Sequence, residues 1–331
     1  MSGDAAPRRR WPWLLLLLAT LLAASWLALR TPDIPAEVLK AKYASPASQF
    51  VELSPGFTVH LRDEGPRDAP ALLLIHGSNA SLHSWEPWVA RLSPRFRVVT
   101  LDLQGHGLTG PIPSACYTNA CMADTVEAVR AKLGIERLAV GGNSMGGGVA
   151  LSYALAHPER VSALVLVDAA GAPVKREGAP PIGFRIAQTP WLRDIAAHIT
   201  PRALIARTLD ASVSVKSVAN EAAVDRYWEL LRYPGSREAT MQRFAAYRPS
   251  GLTPGALAPL AKTPVLILWG AADALIPVRA AEWFKAALPQ ARLTVYPGIG
   301  HLPQEEAADR SAADAAAFLE AAAGRKEGLA G

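Results

Sequence analysis

Between Leu138 and Ala150 the chain reads LAVGGNSMGGGVA, five glycines crowded around a single hydroxyl. A glycine-rich turn between a strand and a helix can cradle a phosphate. The dinucleotide fingerprint, however, needs glycine where Ser144 stands, and the lysine of a phosphate loop is missing. What remains is Gly142-Asn-Ser-Met-Gly146, a Gly-x-Ser-x-Gly pattern. A serine lifted on a sharp strand-to-helix turn presses the residues two before and two after it against neighbouring backbone, so both positions exclude a Cβ. Gly147 and Gly148 let the following helix approach the sheet, and the Met145 N–H is placed to meet an oxyanion forming at the serine. A loop that only turns would read the same way, so the motif needs partners.

A serine nucleophile needs a base, and the base needs an acid to orient it. The seven histidines are at 60, 76, 83, 106, 157, 198 and 301. His301 follows the last apolar run in YPGIGHL, where two glycines form a tight loop that brings the ring back over the strand ends. His157 precedes a proline at a helix end, His198 falls in a helical insertion and His60 sits in a strand, all structural settings. For the acid, Asp273 follows the preceding strand in LWGAADALIP, with Asp168 and Asp102 as rivals because each also ends a strand. The order Ser144, Asp273, His301 is the chain order expected when the serine occupies such an elbow. A second oxyanion donor is expected from the His76-Gly-Ser-Asn79 turn, through the Ser78 N–H or, second, Asn79, with His76 holding its own loop.

These groups must be carried by a scaffold, and the hydrophobic pattern supplies one. Short apolar runs at 58–62, 71–75, 97–101, 138–140, 163–167, 264–268 and 292–296 alternate with helical stretches, the pattern of strands buried on both faces of a mainly parallel sheet. Helices are expected from Ser84, with Trp85, Trp88, Val89 and Leu92 on one core-facing side, over 124–133, and over 148–156. Between 171 and 262 the strand rhythm stops, and helix-like groups around Trp191 and Trp228 predict a cap over the strand ends. Those two tryptophans and Asn79 are the candidate substrate contacts.

The formal charge of +5 owes much to Arg8, Arg9 and Arg10, and no basic stripe with interleaved aromatics accompanies it, which argues against nucleic acid as a partner. Those arginines precede an uncharged run, Trp11 to Leu29, long enough to span a bilayer. The positive-inside tendency assigns residues 1–10 to the cytoplasm and everything after Arg30 to the far side, such as the periplasmic face of a bacterial inner membrane, although Lys40 and Lys42 weaken the asymmetry. Ala23-Ala-Ser25 offers a signal-peptidase site and so a secreted alternative, but the apolar run continues to Leu29, which favours an uncleaved anchor. Residues 30–48 read as a linker, 49–322 as the domain with its cap, and 323–331 as a flexible tail. The two cysteines, Cys116 and Cys121, are close enough to pair but read equally well as free thiols, and they lack metal spacing. Nothing in the sequence sets the oligomeric state.

Four motifs, His76-Gly-Ser-Asn79, Asp102-Leu-Gln-Gly-His-Gly107, Gly142-Asn-Ser-Met-Gly146 and Gly300-His301, together resemble the α/β-hydrolase superfamily over about residues 50 to 322. The stretch HGSNASLHSWEPWV with DLQGHGLTGP is similar to bacterial hydrolases grouped with epoxide hydrolases and haloalkane dehalogenases. Those two enzymes use an aspartate nucleophile, and this elbow carries Ser144, so the resemblance supports their scaffold and argues against their chemistry. It implies an α/β fold with an eight-stranded, mostly parallel sheet, helices on both faces and a helical cap after the sixth strand. It further implies cleavage of an apolar ester by Ser144, His301 and Asp273, without metal or organic cofactor. Carbon–carbon hydrolysis and cofactor-free perhydrolysis use the same triad and remain alternatives; a non-catalytic binding protein is the third reading.

Overall fold

Valine- and leucine-rich runs become the strands of one sheet in the computed structural model, which describes residues 11–54, 56–174, 182–248 and 251–327. The strands are β1 (Ser48–Ser54), β2 (Phe57–Glu64), β3 (Ala71–Ile75), β4 (Arg97–Leu101), β5 (Leu138–Asn143), β6 (Val161–Val167), β7 (Val265–Gly270) and β8 (Arg292–Tyr296). Their order across the sheet is β1-β2-β4-β3-β5-β6-β7-β8. β1 and β2 pair antiparallel, as do β2 and β4, whereas every pairing from β4 to β8 is parallel. The sheet is therefore mixed at one edge and parallel elsewhere. β1 was not legible as a strand because SQFVELS is an edge segment whose residues are nowhere fully buried.

Alternation along the central strands divides the core in two. Leu73, Val99 and Val140 pack with Met122, Val126, Val149, Tyr153 and Phe284 from helices Asn119–Lys132, Met145–Ala156 and Arg279–Ala287. Leu72, Leu74, Val98 and Ala139 pack on the other face with Trp85, Trp88, Ala315 and Phe318. Trp85 and Trp88 are fully buried, as the core-facing pattern required. Helix Asn119–Lys132 starts earlier than its apolar period suggested because the Thr118 side chain accepts the Cys121 N–H and caps it. A disulfide joins Cys116, just before that helix, to Cys121 in its first turn.

The segment between β6 and β7 forms the helical cap, with helices Ile182–Ala187, Pro190–Ala196, Arg202–Ser212, Glu221–Leu231 and Ser236–Ala246. Residues 175–181 and 249–250 of the expected cap, the arginines of 1–10 and residues 328–331 of the tail lie outside the described residues.

Helix Trp11–Leu29 is exposed along its length and has a mean hydropathy of 2.0, long and apolar enough to cross a membrane. The stretch read as a linker is bound to the cap. The Thr31 N–H bonds the His198 carbonyl at 2.8 Å and the Ile34 N–H bonds the Arg232 carbonyl at 2.9 Å. Arg237 holds the Thr31 carbonyl and Asp33, each at 2.6 Å. Helix Ala36–Tyr43 then buries Leu39 between Leu108 and Leu230. Proline and charge obscured this packing because the cap residues that bond this stretch lie more than 150 residues away in sequence.

Candidate active site

The elbow satisfies the demand that its glycines implied. Ser144 has φ 55° and ψ −119°, a strained conformation for a residue with a side chain. A Cβ on Gly142 would lie 2.2 Å from the Gly146 carbonyl oxygen, and one on Gly146 would lie 2.2 Å from that of Ile75. Both are impossible contacts, so only glycine permits the chain to turn here. Helix Met145–Ala156 begins directly at the elbow and includes three glycines in its first turn. Propensity alone would delay its start, but the close crossing over β5 and β6 decides. As the first residue of that helix, Met145 has an N–H without an intrahelical acceptor.

The other groups reach the same edge of the sheet from neighbouring strand ends, where ligands bind in open α/β sheets. His301, buried after β8, donates from Nδ1 to Asp273 Oδ2 at 2.7 Å. The other oxygen of Asp273 accepts the Leu275 and Ile276 amides at 2.7 and 3.0 Å. Burial pushes this carboxyl up, but the His301 ring, its hydrogen bond and the Ile276 amide outweigh it and hold Asp273 below its ordinary range. With Nδ1 donating, Nε2 is left as the acceptor a serine proton needs.

Asp168, with φ 43°, accepts the Gly270 N–H on Oδ1 at 2.9 Å. Its complete burial, reinforced by the adjacent Asp273 charge, pushes its carboxyl well above the ordinary range and so favours its protonated form. Asp168, Asp273 and His301 bring possible metal-ligand atoms within 4.8 Å of one another, and His301 Nδ1 within that cluster is engaged by Asp273. Asp102, the remaining rival acid, binds His60 Nδ1 at 2.7 Å and accepts the Leu82 and Leu108 amides, a core role. His76 is also structural, donating from Nδ1 to the Gly77 carbonyl and accepting the Leu103 amide on Nε2.

Two positioning groups were not foreseen. Asn143, next to Ser144, donates from Nδ2 to the carbonyls of Val167 at 3.2 Å and His301 at 3.0 Å, tying the histidine loop to the elbow. Among the described residues that backbone tie, and no hydrogen bond from Ser144 Oγ, joins the two; such bonds are often long before substrate binds. Glu306 accepts the Gly300 and Leu302 amides, each at 3.0 Å, on either side of His301. It also accepts the Ser214 and Val215 amides of the cap at 2.7 and 3.0 Å. Nothing in PQEE marks it, since its partners are backbone amides remote in sequence.

Gly77 lies against Ser144, a Cβ there falling 3.4 Å from that of the serine, so the Ser78 and Asn79 turn borders it. Asn79 adopts φ 58°, and its Oδ1 is taken by Thr240 and Arg243 of the cap. The two tryptophans do not join this group. Trp228 donates its Nε1 to the Thr200 carbonyl at 2.8 Å beneath Arg232, and Trp191 is 65% exposed on the cap surface.

The chain belongs to the alpha/beta hydrolase fold family, whose model matches residues 70–308. It is 33% identical over 245 residues to an uncharacterized protein of Mycobacterium tuberculosis, covering 71% of this chain and 70% of that one. It is 29% identical over 275 residues to the 2-hydroxymuconate semialdehyde hydrolase of a Pseudomonas species, covering 81% and 92%. Among solved structures, a membrane phospholipase A described as a bacterial virulence factor superposes with a TM-score of 0.69 at 25% identity, over 95% of this chain and 99% of that one.

Proposed function

We propose that this protein is a membrane-anchored carboxylic ester hydrolase that works through an acyl-enzyme on Ser144. His301 Nε2 takes the Ser144 proton as Oγ attacks the ester carbonyl, and the Met145 and Ser78 amides hold the resulting oxyanion. His301 returns the proton to the departing alkoxide, Asp273 fixing the ring and stabilising its positive charge. Water then repeats the sequence and releases the acid. The observation that carries this reading is the strained Ser144 elbow beside a histidine whose Nδ1 is committed to Asp273.

The substrate is a rather apolar ester delivered at a membrane surface. Two observations support that choice: helix Trp11–Leu29 is apolar enough to span, and the residues after it are bound to the cap over the strand ends. The likeness to a membrane phospholipase A points the same way. The catalytic domain would then stand outside the cytoplasm. Carbon–carbon hydrolysis is the second reading, favoured by similarity to a semialdehyde hydrolase across 81% of the chain.

Detergent-solubilised full chain tested on p-nitrophenyl esters of increasing acyl length, alongside 2-hydroxymuconate semialdehyde, separates the readings. Ester turnover with a stoichiometric burst of p-nitrophenol, lost in Ser144→Ala, supports the ester assignment. Turnover of the semialdehyde alone transfers it to carbon–carbon cleavage.

A further inference from the structure

We propose that Arg243 forms an anion subsite beside the oxyanion turn and selects esters carrying a phosphate or carboxylate close to the scissile carbonyl. This rests on the ester-hydrolase reading and narrows its substrate to an amphiphile, with a negative charge next to the reacting bond.

Arg243 belongs to cap helix Ser236–Ala246 and crosses to the core, where Nη2 donates to Ser78 Oγ at 2.7 Å and Asn79 Oδ1 at 3.1 Å. Both acceptors are neutral. Four other shielded arginines are each paired with a carboxylate: Arg62 with Glu86, Arg97 with Asp63, Arg130 with Glu127 and Arg237 with Asp33. Arg243 has no such partner among the described residues, and its Nε is buried without an acceptor. Burial lowers its pKa only to about 10, so it remains a cation at neutral pH.

A shielded cation without a counter-charge is costly, and an anion that arrives with the substrate removes the cost. The location fits such an arrival. Ser78 and Asn79 follow Gly77, which touches the nucleophile, so the guanidinium stands at the border of the reacting centre. Its planar fork matches two oxygens of a phosphate or carboxylate. A latch between cap and turn would need only a neutral donor; the charge is what the substrate explains.

The test compares matched esters on the full chain in detergent. One pair is p-nitrophenyl butyrate and the mono-p-nitrophenyl ester of succinic acid; the other is a monoacylglycerol and its 3-phosphate. The readout is kcat/KM for the anionic ester divided by that for its neutral partner. Wild type should prefer one anionic member, and the pair showing it identifies carboxylate or phosphate as the source. In Arg243→Gln that ratio should fall about 10- to 100-fold, the worth of a charge-assisted hydrogen bond, with partial return in Arg243→Lys. An unchanged ratio, with both esters slowed equally, would reduce Arg243 to a latch, and absence of preference in wild type would overturn the proposal outright. Should Arg243→Gln fail to fold, competitive inhibition of wild type by butyl phosphate or butyrate, and not by butanol, supports the subsite; inhibition by none of them overturns it. If wild type turns over neither neutral ester nor anionic ester, the ester reading itself has failed.

Discussion

Asp168 and Asp273 are two carboxyls in one cluster whose environments push them in opposite directions, and replacing each by asparagine should give opposite results. Asp273 is held below its ordinary range by the His301 ring and backbone amides, and in the proposed mechanism it accepts the Nδ1 proton. An amide there offers an N–H as readily as an oxygen and favours the wrong tautomer, so Asp273→Asn should lower kcat on the order of 10⁴-fold, or roughly 5 kcal/mol. Asp168, buried and pushed well above its ordinary range, is biased toward its protonated form and accepts the Gly270 amide on Oδ1. Its amide analogue keeps that shape and acceptor, so Asp168→Asn should stay within about threefold of wild type, under 1 kcal/mol.

The same pair predicts a pH signature. A carboxyl whose folded pKa is raised retains a proton that the unfolded chain has released, so this group lowers stability as pH rises from the ordinary carboxylate range toward its folded value. Asp168→Asn removes that penalty. Its melting temperature should exceed that of wild type by a margin that is absent near pH 4 and widens above it, at about 1.4 kcal/mol per pH unit. Steady-state ester kinetics and thermal melts across pH read both effects. Equal kinetic losses in the two variants, or a melting difference independent of pH, would refute the assignment of protons and make Asp168 an orienting acid in its own right.

Glu306→Ala leaves four amides without their acceptor and frees the His301 loop from the cap. A misplacement of about 1 Å costs on the order of 10²-fold, so kcat should fall by about that factor with KM changed little, as stopped-time ester assays would show. Gly146→Ala would force a Cβ to 2.2 Å from the Ile75 carbonyl oxygen, and the expected outcome is loss of soluble folded protein, seen as a lost cooperative melt. Full-length chain should remain in the membrane pellet after a high-salt wash; release of a shortened soluble form would instead identify Trp11–Leu29 as a cleaved signal sequence.

Much of this site was legible in the sequence because strand ends are legible. Apolar runs fix where β5, β7 and β8 stop, and Ser144, Asp273 and His301 lie within a few residues of those stops. The elbow glycines were equally informative, because a missing Cβ reports a close backbone approach. Other features depend on side chains meeting backbone from distant segments, for which one sequence carries no signal. Asn143 bonds to a carbonyl 158 residues away, and Arg243 bonds to Ser78 across 165. Trp191 and Trp228 mislead for a related reason. Their helical spacing predicts a buried face but not which body covers it; Trp228 packs within the cap and Trp191 stays exposed. The stretch at 30–48 conceals its contacts because proline and lysine suggest solvent, while the single buried Leu39 holds its helix in place.

The central claim is that Ser144 is an activated nucleophile, and labelling tests it without knowledge of the substrate. Detergent-solubilised full chain is treated with a fluorophosphonate probe, wild type beside Ser144→Ala and His301→Ala, each checked for a cooperative melt. The account predicts stoichiometric labelling of wild type at Ser144, none in Ser144→Ala, and a rate reduced by orders of magnitude in His301→Ala. Folded wild type that stays unlabelled, or that labels equally with Ser144 removed, would contradict it.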